Sequence, residues 1–208
     1  MKTTNWRAAV AAAACAICAA GVSQGSVALP DHTGASEAVT AFLADHGDLC
    51  LAKYIWPRDV TAADRQAGSN DAIQLPVLQH LGLVTSETIN GSTQRYSLTA
   101  KGRRYYLQKN RTTLGVHGQA VEHNADFCVA RLTLDKVVKL SRPHAVNGHE
   151  EAVAVYTYRI KPAKWLADPQ ARQVFPVVDR IIRGEGRLQL TATLELRGGR
   201  WVPVLPGQ

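Results

Sequence analysis

No G-x-S-x-G nucleophile motif occurs beyond the N-terminal segment, whose Gly21-Val22-Ser23-Gln24-Gly25 carries the string by itself, and the 208 residues hold no S-x-x-K, no Walker loop, no dinucleotide-binding glycine fingerprint behind a strand and no EF-hand calcium loop. These absences exclude the activities whose chemistry depends on a fixed local spacing. They do not exclude a carboxylate pair of glycosidase type, which has no reliable spacing. Internal repeats are absent, as are low-complexity segments beyond the N-terminus. The chain also lacks an apolar run long enough to span a bilayer comfortably: the longest, residues 8–22, is alanine-dominated and short, so an integral membrane protein is not expected. Cysteine is scarce, with four in all, two of them (Cys15 and Cys18) inside that run.

Lys2 and Arg7 precede the run and Ser26-Val27-Ala28 follows it, which is the layout of a secretory signal peptide cleaved after Ala28. A lipoprotein is the rival reading. Neither early cysteine has a good lipobox, because Ala12 stands where leucine is expected before Cys15 and Ile17 directly precedes Cys18. The expected location is therefore periplasmic or secreted. Cleavage removes two cations and no acid from 24 Lys and Arg against 17 Asp and Glu, leaving a net charge of +5. That balance is too mild to name an acidic partner or an anionic membrane surface, and a solvated basic surface is the preferred reading. The two remaining cysteines, Cys50 and Cys128, are an even pair in an oxidising compartment and predict a disulfide.

Along residues 29–112 the pattern predicts a helix capped by Ser36, an extended stretch at 50–56, a short helix opened by Thr61 and Asp64, and a mostly apolar helix over 71–81. Asn90-Gly91 is a type I′ hairpin signal between two strands. Thr99 then caps a basic helix carrying Lys101, Arg103, Arg104, Tyr105, Tyr106 and Lys109. The run LQHLGLV…NGSTQRYSLTAKGRRYY resembles the helix-plus-wing segment of bacterial winged-helix regulators, in which GLV enters the wing and Y-x-L-T-x-x-G leaves it. The resemblance implies a winged-helix-like first half. DNA readers of this fold carry basic and amide side chains on the recognition helix. Here that helix offers only Asp71, Gln74, Gln79 and His80, so no nucleic-acid partner is expected. The candidate contact groups are instead the wing tip, Asn90 and Gly91, and the cations Arg103, Arg104 and Lys109. A solvated helix face whose tyrosines pack inward is the preferred reading of the same cations.

Residues 113–208 predict a second α+β unit. A glycine- and histidine-containing linker covers 114–124, and strands follow over 127–140, 151–160, 188–196 and 201–205, with a proline-started helix after Asp168. The fold class is α+β: a winged-helix-like half followed by an antiparallel sheet of about four strands with one packed helix. His117 and His123, near Glu122 and Asp126, are the candidate metal ligands, although neither lies in a helical H-E-x-x-H pair or beside a C-x-x-C. No cofactor is expected.

The runs DRQAG, DAIQLPVLQHLGLV and FPVVDRIIRGEG resemble small exported proteins of Gram-negative bacteria, some labelled accessory proteins of intrinsic carbapenem tolerance. The likeness brings no catalytic residue with it. It implies a periplasmic, non-enzymatic binding or protective accessory protein acting on an envelope protein or acidic ligand. The alternatives are an envelope metal-binding protein or hydrolase at His117 and His123, and a nucleic-acid-binding winged-helix protein.

Overall fold

The computed structural model describes residues 32–114 and 120–204. The expected export signal, Cys15, Cys18 and His117 lie outside those residues. In chain order the elements are α1 (His32–His46), β1 (Asp48–Cys50), β2 (Arg58–Val60), α2 (Ala62–Gln66), α3 (Asn70–His80), β3 (Val84–Ile89), β4 (Thr93–Leu98) and α4 (Ala100–Arg103). Then follow β5 (Tyr106–Leu107), β6 (Arg111–Leu114), β7 (Ala120–His123), β8 (Asp126–Leu140), β9 (His144–Val146) and β10 (His149–Pro162). A 3-10 turn (Lys164–Ala167), α5 (Pro169–Val174), α6 (Pro176–Arg183), β11 (Leu190–Arg197) and β12 (Arg200–Pro203) complete the described chain.

A seven-stranded antiparallel sheet runs in the order β1-β8-β10-β11-β12, with β5 added beside β8 and β9 beside β10. The four strands legible from alternation are all present. The expected count of about four is nonetheless too low, because β1, β5 and β9 are two or three residues long and too short to show a period. β10 is central, as its apolar residues on both faces predict, and β8 carries two bulges against it, at Asp135 and Val138.

The helix that crosses this sheet comes from the start of the chain. Ala35, Ala38, Val39 and Leu43 of α1 share one face and bury against Leu132, Ala154, Tyr156, Tyr158, Ala192 and Leu194. Ser36 lies inside α1, where its hydroxyl donates to the His32 carbonyl at 2.7 Å, so it is not the cap that the sequence suggested. The single helix expected over 169–183 is two short ones, parted at Phe175 (φ −119°, ψ 60°) ahead of Pro176.

A second core joins the two halves of the chain. Val60, Leu75, Leu78, Leu83, Val84 and Tyr96 pack with Phe127, Val129, Trp165, Leu166, Ala171, Phe175 and Val178. Around it stand α2, α3 and a three-stranded sheet in the order β2-β4-β3. Thr61 and Asp64 form the expected capping box, Ser69 caps α3, and Asn90 (φ 47°) and Gly91 (φ 71°) supply the two positive φ values of the hairpin turn.

Two other sequence readings change. The basic helix after the wing is a single turn, because Tyr106 and Leu107 pair with Phe127 and Asp126 of β8, and the Cys128 amide donates to the Tyr105 carbonyl at 2.7 Å. Residues 114–124, read as a linker, include β7, which pairs antiparallel with β6. Cys50 and Cys128 are bonded (S–S 2.04 Å), facing each other across β1 and β8. That bond is compatible with an oxidising compartment. Among the described residues no helix is long and apolar enough to cross a membrane.

Candidate functional site

Beyond Cys50 the chain leaves the sheet as a strap, residues 51–57, that turns toward α3. Leu51 still donates its amide to the Phe127 carbonyl at 2.9 Å, but Ala52 has φ 55° and swings the next residue away from β8. The buried Asp126 carboxylate then receives two amides on one oxygen, Lys53 at 2.8 Å and its own neighbour Phe127 at 2.7 Å. This fixes the Lys53 backbone and sends its side chain inward, leaving the residue 2% exposed.

The Lys53 ammonium donates to Asp71 Oδ1 at 2.5 Å, and Arg58 Nε donates to Asp71 Oδ2 at 2.6 Å, with Arg58 Nη2 also against that oxygen. Asp71 stands in the first turn of α3, where the free amides of the helix start favour a carboxylate. Burial pushes the Asp71 carboxyl up; the contacts to Lys53 and Arg58 outweigh it and hold the group below the usual carboxylate range. Burial lowers the Lys53 ammonium below its ordinary value against the pull of Asp71.

These groups wall a cleft of about 400 Å³ whose other lining includes Asp59, Asp64, Ser69, Asn70 and Gln74. Each flanking carboxylate has its own partner. Asp59 accepts two hydrogen bonds from Arg95 (2.8 and 2.7 Å), and Asp64 accepts from the Thr61 amide and hydroxyl. The lining holds no thiol, imidazole or base-activated hydroxyl. What it offers is hydrogen-bonding amides and hydroxyls and a guanidinium edge, chemistry suited to holding a polar ligand or a peptide segment.

The residues singled out from sequence lie elsewhere. Asn90 and Gly91 form the β3–β4 turn, tied to α2 through Arg65 Nη2, which donates to the Ser92 carbonyl at 2.6 Å. Arg103 donates to the Leu98 carbonyl at 2.9 Å at the end of β4, while Arg104 closes α4. Lys109 binds the Asp45 carbonyl and lies 3.4 Å from Asp48, at the end of α1. Arg103 and Lys109 are thus anchored apart, at the end of β4 and the end of α1. His123 stacks on Tyr54, ring centres 3.5 Å apart. No group of three or more metal-ligating side chains gathers among the described residues.

Sequence reading missed Lys53 and Arg58 and took Asp71 only as a polar residue of α3. A signal was present: Lys53 is the single charge between Leu49 and Pro57, in an otherwise apolar and aromatic stretch. No protein-family model matches the chain, and no curated protein or solved structure is significantly similar to it.

Proposed function

We propose that the protein is an exported, non-enzymatic binding or protective accessory protein of the cell envelope, engaging another envelope component through the cleft between the strap and α3. The observation that carries this reading is the pairing inside the cleft. Lys53, Arg58 and Asp71 satisfy one another, so the site is a shaped, charged surface with no poised nucleophile or base. The disulfide and the apolar N-terminal run of the sequence support export.

The first half serves in this proposal as a winged-helix-like scaffold for protein contacts. The succession β2, α2, α3, β3, β4 and the sheet order β2-β4-β3 support that reading, while α1 lies on the large sheet. The apolar character of α3 and its role in walling the cleft argue against base reading.

Site-specific photo-crosslinking in cells making the protein tests the cleft. A probe replacing Gln74, in the cleft wall, captures a discrete partner, and the same probe replacing the exposed Glu37 on α1 does not. Equal labelling from both positions, or none from Gln74, overturns the proposal. Fractionation with intact-mass measurement tests export: a periplasmic species lacking residues 1–28 is expected, and a full-length cytoplasmic one defeats this part.

A further inference from the structure

The large sheet has two unlike faces. One is covered by α1 and carries Leu132, Leu134, Val137, Tyr156, Tyr158 and Leu194. The strand register sets the other. Arg131 pairs with Lys161, Thr133 with Arg159, Lys136 with Thr157 and Lys139 with Val155, and cross-strand partners share a face. Four exposed cations therefore line the uncovered face of β8 and β10, Lys136, Lys139, Arg159 and Lys161, while the guanidinium of a fifth, Arg131, turns to the end of α1 and donates to the Ala44 carbonyl at 2.5 Å.

Two carboxylates touch this stripe, and both are engaged. Asp135 accepts from the Thr157 hydroxyl at 2.9 Å and from Arg159 Nε at 2.8 Å, and the Thr157 hydroxyl and the Arg159 guanidinium hold it below the usual carboxylate range. Asp48 receives Arg131 at 2.9 Å. Lys136, Lys139 and Lys161 have no acid among their cross-strand partners. With Arg131 held by Asp48, the cations Lys136, Lys139, Arg159 and Lys161 against Asp135 and Glu151, which shares the face of Val153 on β10, leave the stripe at a net +2. From residue 131 to 139 it runs about 25 Å at the rise of a strand. Apolar groups accompany the lysines: Val138 is 43% exposed at the bulge between Lys136 and Lys139, and half-buried Val153 and Val155 share the Lys139 face.

We propose that this face docks on a phosphate-bearing anionic membrane surface, with the lysines against lipid phosphates and Val138 at the headgroup boundary. Charge complementarity selects an anionic occupant. The openness of the face and the valines among its lysines favour a lipid surface over a rod-like polyanion, which is better held in a groove. The inference is independent of the cleft and of the proposed partner there.

The test is co-sedimentation of the purified protein with vesicles of phosphatidylglycerol in phosphatidylcholine, against vesicles of phosphatidylcholine alone. Binding to the anionic vesicles only, lost in high salt, is expected. Each cation removed from the stripe lowers partitioning about fivefold. Lys139→Gln alone then gives about a fivefold loss, and the triple variant Lys136→Gln/Lys139→Gln/Lys161→Gln about a hundredfold loss. Arg103→Gln/Arg104→Gln removes cations from another surface and leaves binding unchanged. Circular dichroism checks that each variant is folded, and the single variant decides the matter if the triple one is not. Failure to bind anionic vesicles, an equal loss in the Arg103/Arg104 variant, or binding to a soluble polyanion such as heparin in preference to the vesicles overturns the proposal.

Discussion

The Lys53 ammonium and the Asp71 carboxylate meet at 2.5 Å, joining the strap after the disulfide to the first turn of α3. Lys53 has almost no contact with water, so its charge depends chiefly on this carboxylate, with the buried Asp126 a weaker favourable neighbour, whereas Asp71 has Arg58 as a second partner. The dependence is one-sided. Loss of Asp71 strands a buried cation, while loss of Lys53 leaves a carboxylate that still holds a half-exposed guanidinium.

Asp71→Asn is therefore expected to destabilise the fold by about 3 kcal/mol, the scale for leaving a buried charge unpaired. Lys53→Met, which substitutes an apolar side chain of similar length, costs less, and Lys53→Met combined with Asp71→Asn recovers part of the loss. Urea denaturation of the three variants measures this. A double variant no better than Asp71→Asn alone counts against the pairing as the source of the effect.

The same pair sets an acid limit. The folded-state pKa of Asp71 lies below its unfolded value, so the unfolded chain takes up the proton first as pH falls. The stabilisation is complete above the unfolded carboxylate pKa of about 4 and is lost as pH drops through the folded value beneath it. Wild type should lose stability across that window more steeply than Asp71→Asn, a comparison made by thermal melts at stepped pH.

Cys50 and Cys128 close a loop 78 residues apart in sequence. Reduction, or Cys50→Ser/Cys128→Ser, should lower stability by about 4 kcal/mol in the chain-entropy account. The expected signature is a large drop in melting temperature with dithiothreitol that is absent in the double serine variant.

Gly102 sits where α4 crosses the end of α3. A Cβ there falls 1.9 Å from the Leu83 carbonyl oxygen, a backbone atom with no freedom to swing away. Gly102→Ala should cost about 2–4 kcal/mol through forced backbone displacement. Gly91→Ala meets no atom and carries only the strain of its positive φ, so it should cost about 1 kcal/mol. Chemical denaturation ranks the two, and equal losses would show that the contact at Gly102 is relieved without penalty.

Much of the fold was legible because local chemistry set it. Thr61, Ser69, Thr99 and Asp168 cap where their hydroxyls and carboxylates predict, and the alternation at Leu190, Ala192 and Leu194 marks a half-buried strand. Elements governed by distant partners were not legible. Tyr106 and Leu107 continue a basic, helix-like run in sequence, yet β8 captures their backbone as strand. The site was hidden for a similar reason. Lys53 is inward because Asp126, 73 residues away, fixes its amide, and nothing near it in the sequence announces that bond. The cysteine pair was readable, since two cysteines allow one pairing.

The placement of α1 also has a timetable. Its apolar face is finished when Leu43 leaves the ribosome, but Leu132, the first of the sheet residues it buries against, follows roughly 90 residues later. At ordinary translation rates that is a delay on the order of ten seconds, through which only the partly buried Leu49 among the cluster's sheet residues has been made. The first of the described helices to be made is among the last to be seated, and a chaperone that shields Ala35, Val39 and Leu43 during the wait would raise the yield of folded protein.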